Sequence, residues 1–256
     1  ISKYIIKEIN MRNHISYRSG NPALQTSTFK NSTDTTQGHM TLEGTINKVS
    51  ISLLVLMFTA MYTWNNPSYP IMIFGAIGGF CVALLTIFKK HLATYTTLIY
   101  AALEGLFLGG ISQYYAQQFD GIVGQAIFLT FAIFVALLFA YKTKIIAPTE
   151  NFKLGVFAAT AGIGVLYLIS FIMSFFGSGL PIMNPMNSSL FSIGFSIFVV
   201  VIASLNLVLD FDFIEAGAEN GAPKYMEWYG AFGLLITLVW LYLEILKLLA
   251  KLQSRR

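Results

Sequence analysis

"PIMIFGAIGGFCVALLTIF", residues 70–88, runs for nineteen residues without an Asp, Glu, Lys, Arg or His. As a helix it rises about 28 Å, close to the ~30 Å hydrocarbon core of a bilayer. A β-barrel strand would alternate apolar and polar residues, and this run does not. Working outward, six more apolar runs recur at about 48–64, 95–115, 124–141, 154–176, 188–209 and 229–250. The pattern predicts an all-α membrane protein of seven transmembrane helices. Composition agrees: 55% of the 256 residues are hydrophobic and 11% charged, against roughly 25% charged in soluble domains, and mean hydropathy is +0.66.

The connections are short and rich in turn-formers: "NNPSYP", "KKH", "QQFDG", "KTKIIAPTE", "GSGLPIMNPMN" and "AENGAPKYM". Residues 1–46 are rich in Ser, Thr and Asn and read as a polar, flexible tail, with residues 47–252 as the membrane domain. No signal-peptide core follows a basic start. Lys89 and Lys90 follow span two, Lys142, Lys144 and Lys153 follow span four, and Lys224 follows span six; the connections after spans one, three and five carry no Lys or Arg. The positive-inside rule then puts the even connections and the N-terminus in the cytoplasm. Lys247, Lys251, Arg255 and Arg256 break the pattern if span seven crosses fully, so the side of the C-terminus stays open. The net charge of +4 follows this topology and does not suggest a nucleic-acid partner; the expected surroundings are lipid. Cys81 is the single cysteine, so no intrachain disulfide forms.

Gly75 and Gly79 form one G-x-x-x-G, and Gly105 and Gly109 another. Such glycines let helix backbones approach closely, here expected within one chain, as a monomer or weak oligomer. The more informative residues are the acids in the spans: Glu104, Asp210, Asp212 and Glu244. A charge at a helix centre costs about 2.5–3.5 kcal/mol on insertion scales. Such groups protonate, share a proton, or hold a cation or water. Asp210 and Asp212 point about 200° apart on a helix. Asp210 is expected to face the bundle interior, and Asp212 to mark where span six leaves the membrane. Glu244 has Lys247 three residues on, which allows a helical ion pair.

At these positions the chain resembles the Bax inhibitor-1/YccA family, and the bacterial branch in particular. The likeness rests on "NPAL" in the tail, "LEGLFLGGIS" in span three, "LDFDFIE" closing span six and "WLYLEILKLLAKL" in span seven. It implies a seven-helix bundle with the last helix central and wrapped by the other six, in a bacterial inner membrane with the N-terminus cytoplasmic. It further implies a pH-sensitive calcium leak in which acids on helices six and seven share a proton and gate the pore. The "D-T-Q-x-I" acid falls on Asp210 in "DFDFI", and the "L-Y-L-D" acid on Glu244 in "LYLE", a Glu where the family has Asp. The two lie 34 residues apart, longer than the family spacing. Glu227, across the loop from Asp210, and Glu104, whose depth suits Glu244, are therefore alternative partners. No cofactor is implied, and Ca²⁺ is the expected permeant or bound ion, with Asp210 and Glu244 as its candidate ligands.

An intramembrane aspartyl protease would show "G-x-G-D", whereas Asp210 follows "LVL". A retinal-type receptor needs a mid-helix lysine, and Lys247 stands near the end of its span. A metal-dependent hydrolase needs clustered ligands, and His14, His39 and His91 are scattered. The reading is therefore non-enzymatic. The alternative is a regulator that binds a membrane-anchored quality-control protease through the polar tail. The triplets at Asn31 and Asn187 match glycosylation acceptors, a pattern that often arises by chance.

Overall fold

The computed structural model describes residues 38–177 and 179–255. Seven helices follow in order: α1 (Leu42–Asn65), α2 (Tyr69–Phe88), α3 (Ala93–Ala116), α4 (Ile122–Lys142), α5 (Glu150–Ser174), α6 (Leu190–Glu219) and α7 (Met226–Gln253). Each is long and apolar enough to cross a membrane. Local chemistry starts them: the Thr41, Thr149 and Ser189 side chains accept from Gly44, Phe152 and Ser192 N–H, and Pro70 opens α2. Inside the spans, hydroxyls return to the carbonyl one turn back, as Thr86 does to Val82 at 2.7 Å and Thr130 to Ala126 at 2.7 Å. That pairing satisfies polar groups where lipid offers no partner.

The bundle is built around α7. Two thirds (67%) of its membrane-spanning stretch is buried, against 17% for α2 and for α4. It packs against α6, α1, α4 and α3, and its Trp240, like Tyr167 of α5, packs on the small cluster of Ile163, Val199 and Ile202. The expectation of a last helix wrapped by all six others needs one correction: α2 lies outside, packed on α3. Both glycine stripes are used within the chain. A Cβ on Gly75 would meet Leu103 O at 2.6 Å, and one on Gly79 would meet Glu104 Oε2 at 2.9 Å, so α2 seats directly on α3. Gly105 and Gly109 meet Leu56, Thr59, Ala60 and Thr63 of α1 in the same way.

Two boundaries differ from expectation, and the end of α7 answers what the sequence left open. Helix α1 starts at Leu42 rather than after residue 46, and residues 38–41 are tied to the α6–α7 turn: Met40 N–H donates to Ala222 O at 2.6 Å and Lys224 N–H to Gly38 O at 3.2 Å. Residues 1–37, with "NPAL", Asn31 and His14, lie outside the described part. Helix α6 continues past Asp210 and Asp212 to Glu219, so neither acid closes the helix: the apolar run ends at the first charges, but the helix does not. Helix α7 crosses fully, since its 28 residues rise about 42 Å. Its end meets the α5–α6 connection, where Lys251 Nζ donates to Ile182 O at 2.7 Å and Ser254 contacts Met186 sulfur at 3.8 Å. The C-terminus therefore lies on the face opposite the lysine-rich connections.

Candidate functional site

Ser192, Ser196, Asn206 and Asp210 recur on α6 at spacings that place them within about 80° of one another on the helix, and all four are buried. On an apolar helix this is a polar stripe, and α5 and α7 supply its partners. At the end away from the lysine-rich face, buried Lys251 of α7 donates to Ser196 Oγ at 2.8 Å and to the carbonyls of Ser192 and Ile182. Toward the middle, Glu244 of α7 accepts from the Tyr167 hydroxyl of α5 at 2.5 Å and from Lys247 at 2.7 Å. Lys247 also lies over the Tyr167 ring, 4.9 Å from its centroid. Further along, Asn206 Nδ2 donates to Thr160 Oγ1 at 2.8 Å and to Ile202 O at 2.8 Å. Asp210 follows one turn later, with no exposed surface. Asp212, on the far side of α6, pairs with buried Lys153 of α5 at 2.7 Å. From Ser192 to Asp210 this polar seam covers eighteen residues of α6, about 27 Å of rise, close to the ~30 Å of the hydrocarbon core.

Register decides which acids meet. Gly230 packs on Ile214, and Lys251 reaches Ser192, so Asp210 lies level with about Leu234 and Glu244 with about Val200. The α5–α6 pairs Lys153–Asp212 and Thr160–Asn206 extend to the same level for Tyr167 and its partner Glu244. Asp210 and Glu244 are thus about ten residues, or ~15 Å, apart along the bundle. In this conformation the structure does not bring them together as a proton-sharing dyad. Nor do they ligate one Ca²⁺, which needs oxygens at about 2.3–2.6 Å; among the described residues no three His, Cys, Asp or Glu side chains gather. Glu104 is corrected too. Thr97 and Ser112 of α3 bond Trp228 and Tyr242 of α7, so Glu104 lies at the depth of Asp210 rather than of Glu244. Its carboxylate rests against Gly79 of α2.

Glu227, a secondary candidate by sequence, proves to be a heavily engaged acid. It accepts from Thr41 N–H at 2.9 Å, Thr41 Oγ1 at 2.8 Å and Lys224 at 2.8 Å, and pairs with Lys48 at 2.7 Å. The side chain is completely buried, which locks residues 38–41 onto the start of α7. Sequence reasoning missed Tyr167, Lys153, Thr41 and the internal role of Lys251. Only Lys153 carried a signal, as a charge at the very edge of span five.

No curated protein is similar enough to the chain to be matched to it. The family model described as Bax inhibitor 1 like matches residues 21–254, which takes in all seven helices and every acid described above. The chain is therefore a multi-pass integral membrane protein that belongs to the Bax inhibitor 1 like family.

Proposed function

We propose that the protein is a non-enzymatic, pH-responsive cation leak pathway for which Ca²⁺ is a permeant ion, with the lysine-rich face cytoplasmic in a bacterial inner membrane. The observation that carries this reading is the polar seam between α5, α6 and α7. It supplies carboxylate, amide and hydroxyl oxygens at successive depths of the bundle. Hard cations bind such oxygens, and buried acids in membranes mark ion pathways. Asp210 and Glu244 act as two stations along the path. Lys251 stands across one end as a positive stopper, held by carbonyls. Glu244 joins Tyr167 of α5 to Lys247 of α7, so its charge is coupled to the packing of α5 on α7.

The test is Ca²⁺ flux into proteoliposomes from about pH 6 to pH 8. Wild type should leak with a pH profile, Asp210→Asn or Glu244→Gln should flatten it, and Lys251→Met should raise the leak. Vesicles that stay tight at every pH would overturn the proposal. One observation favours a second reading, regulation of a membrane protease. The Glu227 clasp fixes the chain at Gly38 on the lysine-rich face, beside the connections a cytoplasmic partner would meet. Deleting residues 1–37 should abolish such an association and leave flux intact.

A further inference from the structure

Helices α1 and α4 both pack on α7 but have at most marginal contact with each other. The crevice between them holds two cavities, one of about 480 Å³ toward the lysine-rich face and one of about 830 Å³ toward the other. Leu53 lines both cavities and is the central residue of α1, so each cavity occupies one leaflet. The smaller has apolar walls from Val49 and Leu53 of α1, Leu138 of α4 and Leu234 of α7, and its rim carries Lys142 and Lys144. Both lysines are exposed, and neither makes an ion pair among the described residues. Lys144 sits at φ 58°, where the chain turns sharply out of α4. Glu215 shares the rim, and its carboxylate is taken by the Tyr141 hydroxyl.

We infer that this crevice is a seat for an anionic glycerophospholipid of the lysine-side leaflet, its phosphate at Lys142 and Lys144 and one acyl chain lying along α1 to Leu53. The groove runs about 16 Å along α1 from Leu42 to Leu53 between apolar walls, a shape that suits an extended acyl chain. The volume also falls within the ~300–1,000 Å³ of small-molecule sites. The charges at the mouth select the headgroup, because each lysine at a membrane surface favours an anionic lipid.

The experiment is native mass spectrometry of the detergent-purified chain with phosphatidylglycerol or phosphatidylcholine of identical acyl chains. Wild type should retain phosphatidylglycerol preferentially. Lys142→Gln with Lys144→Gln should reduce that preference by about fivefold per lysine, and each single substitution should give part of the loss. Lys89→Glu removes the same two units of charge at another connection and should leave the preference intact. Leu53→Trp, which fills the end of the crevice, should lower retention of both lipids. Variants are compared at equal elution volume and melting temperature. Equal retention of the two lipids by wild type, a preference that survives the double substitution, an equal loss in Lys89→Glu, or unchanged retention in Leu53→Trp would each overturn the inference.

Discussion

Replacing Glu227 by glutamine keeps the side-chain shape and removes the charge from a fully buried site. In the wild type that carboxylate holds Thr41 through two hydrogen bonds and neutralises Lys48 and Lys224. Removing one partner of a buried ion pair costs about 3–5 kcal/mol. Lys224 is 44% exposed and Lys48 19%, so water recovers part of their solvation and the lower end applies. One bond from Thr41 to the amide oxygen survives. A net loss of about 3 kcal/mol follows, localised where residues 38–41 meet the α6–α7 turn. The assay is amide hydrogen exchange on the detergent-solubilised protein. The Met40 and Lys224 amides, bonded to Ala222 O and Gly38 O, should exchange about 100-fold faster if opening of the clasp governs them. The melting temperature should fall by about 6–12 °C if the loss reports on the whole bundle. Exchange at both amides within twofold of wild type would refute the reasoning, because it would mean that other contacts hold the segment.

Gly109→Leu should destabilise the bundle by 3 kcal/mol or more, since even a Cβ there collides with Ala60 O and Thr63 Oγ1; melting temperature and yield of folded protein check it. Gly124→Ala, with nothing within 4 Å of its added Cβ, should stabilise by about 0.5–1 kcal/mol, measured in the same melts. Lys153→Met leaves Asp212 without the lysine that holds it at 2.7 Å. It should cost about 1–3 kcal/mol, and most of that loss should return in the Asp212→Asn background, as a double-mutant cycle would show. With Cys81 replaced by Ala, cysteines at Lys89 and Ser254 should be labelled by impermeant reagents from opposite sides of the membrane; labelling from the same side would contradict a fully crossing α7.

The seven spans, their order and the class of the protein were legible in the sequence because lipid imposes one solution. A segment such as 70–88 has to be a helix of bilayer length, since every backbone group must find its partner within the segment. The glycine stripes were legible for a related reason: residues at i and i+4 share a face whatever that face meets. The same periodicity separated Asp210 from Asp212, and the structure places the first inside the bundle and the second on Lys153.

What periodicity cannot specify is the neighbour on each face or the sliding of one helix along another. Those are set by tertiary packing. The turn at residues 220–225 and the fit of Ile214 on Gly230 put Asp210 level with Leu234 and hold Glu244 about 15 Å further along, against Tyr167 of a helix distant in sequence. Tertiary structure likewise turned Lys251 from an apparent topological exception into a buried donor to Ser192, Ser196 and Ile182, and Glu227 from a residue beside a loop into the anchor of residues 38–41. The sequence alone determined that the chain crosses the membrane seven times and carries acids inside it, because solvation in lipid acts residue by residue. Which acids meet cations, and at what depth, was decided only by the packed bundle, because a buried charge is stabilised by partners that folding brings from elsewhere in the chain.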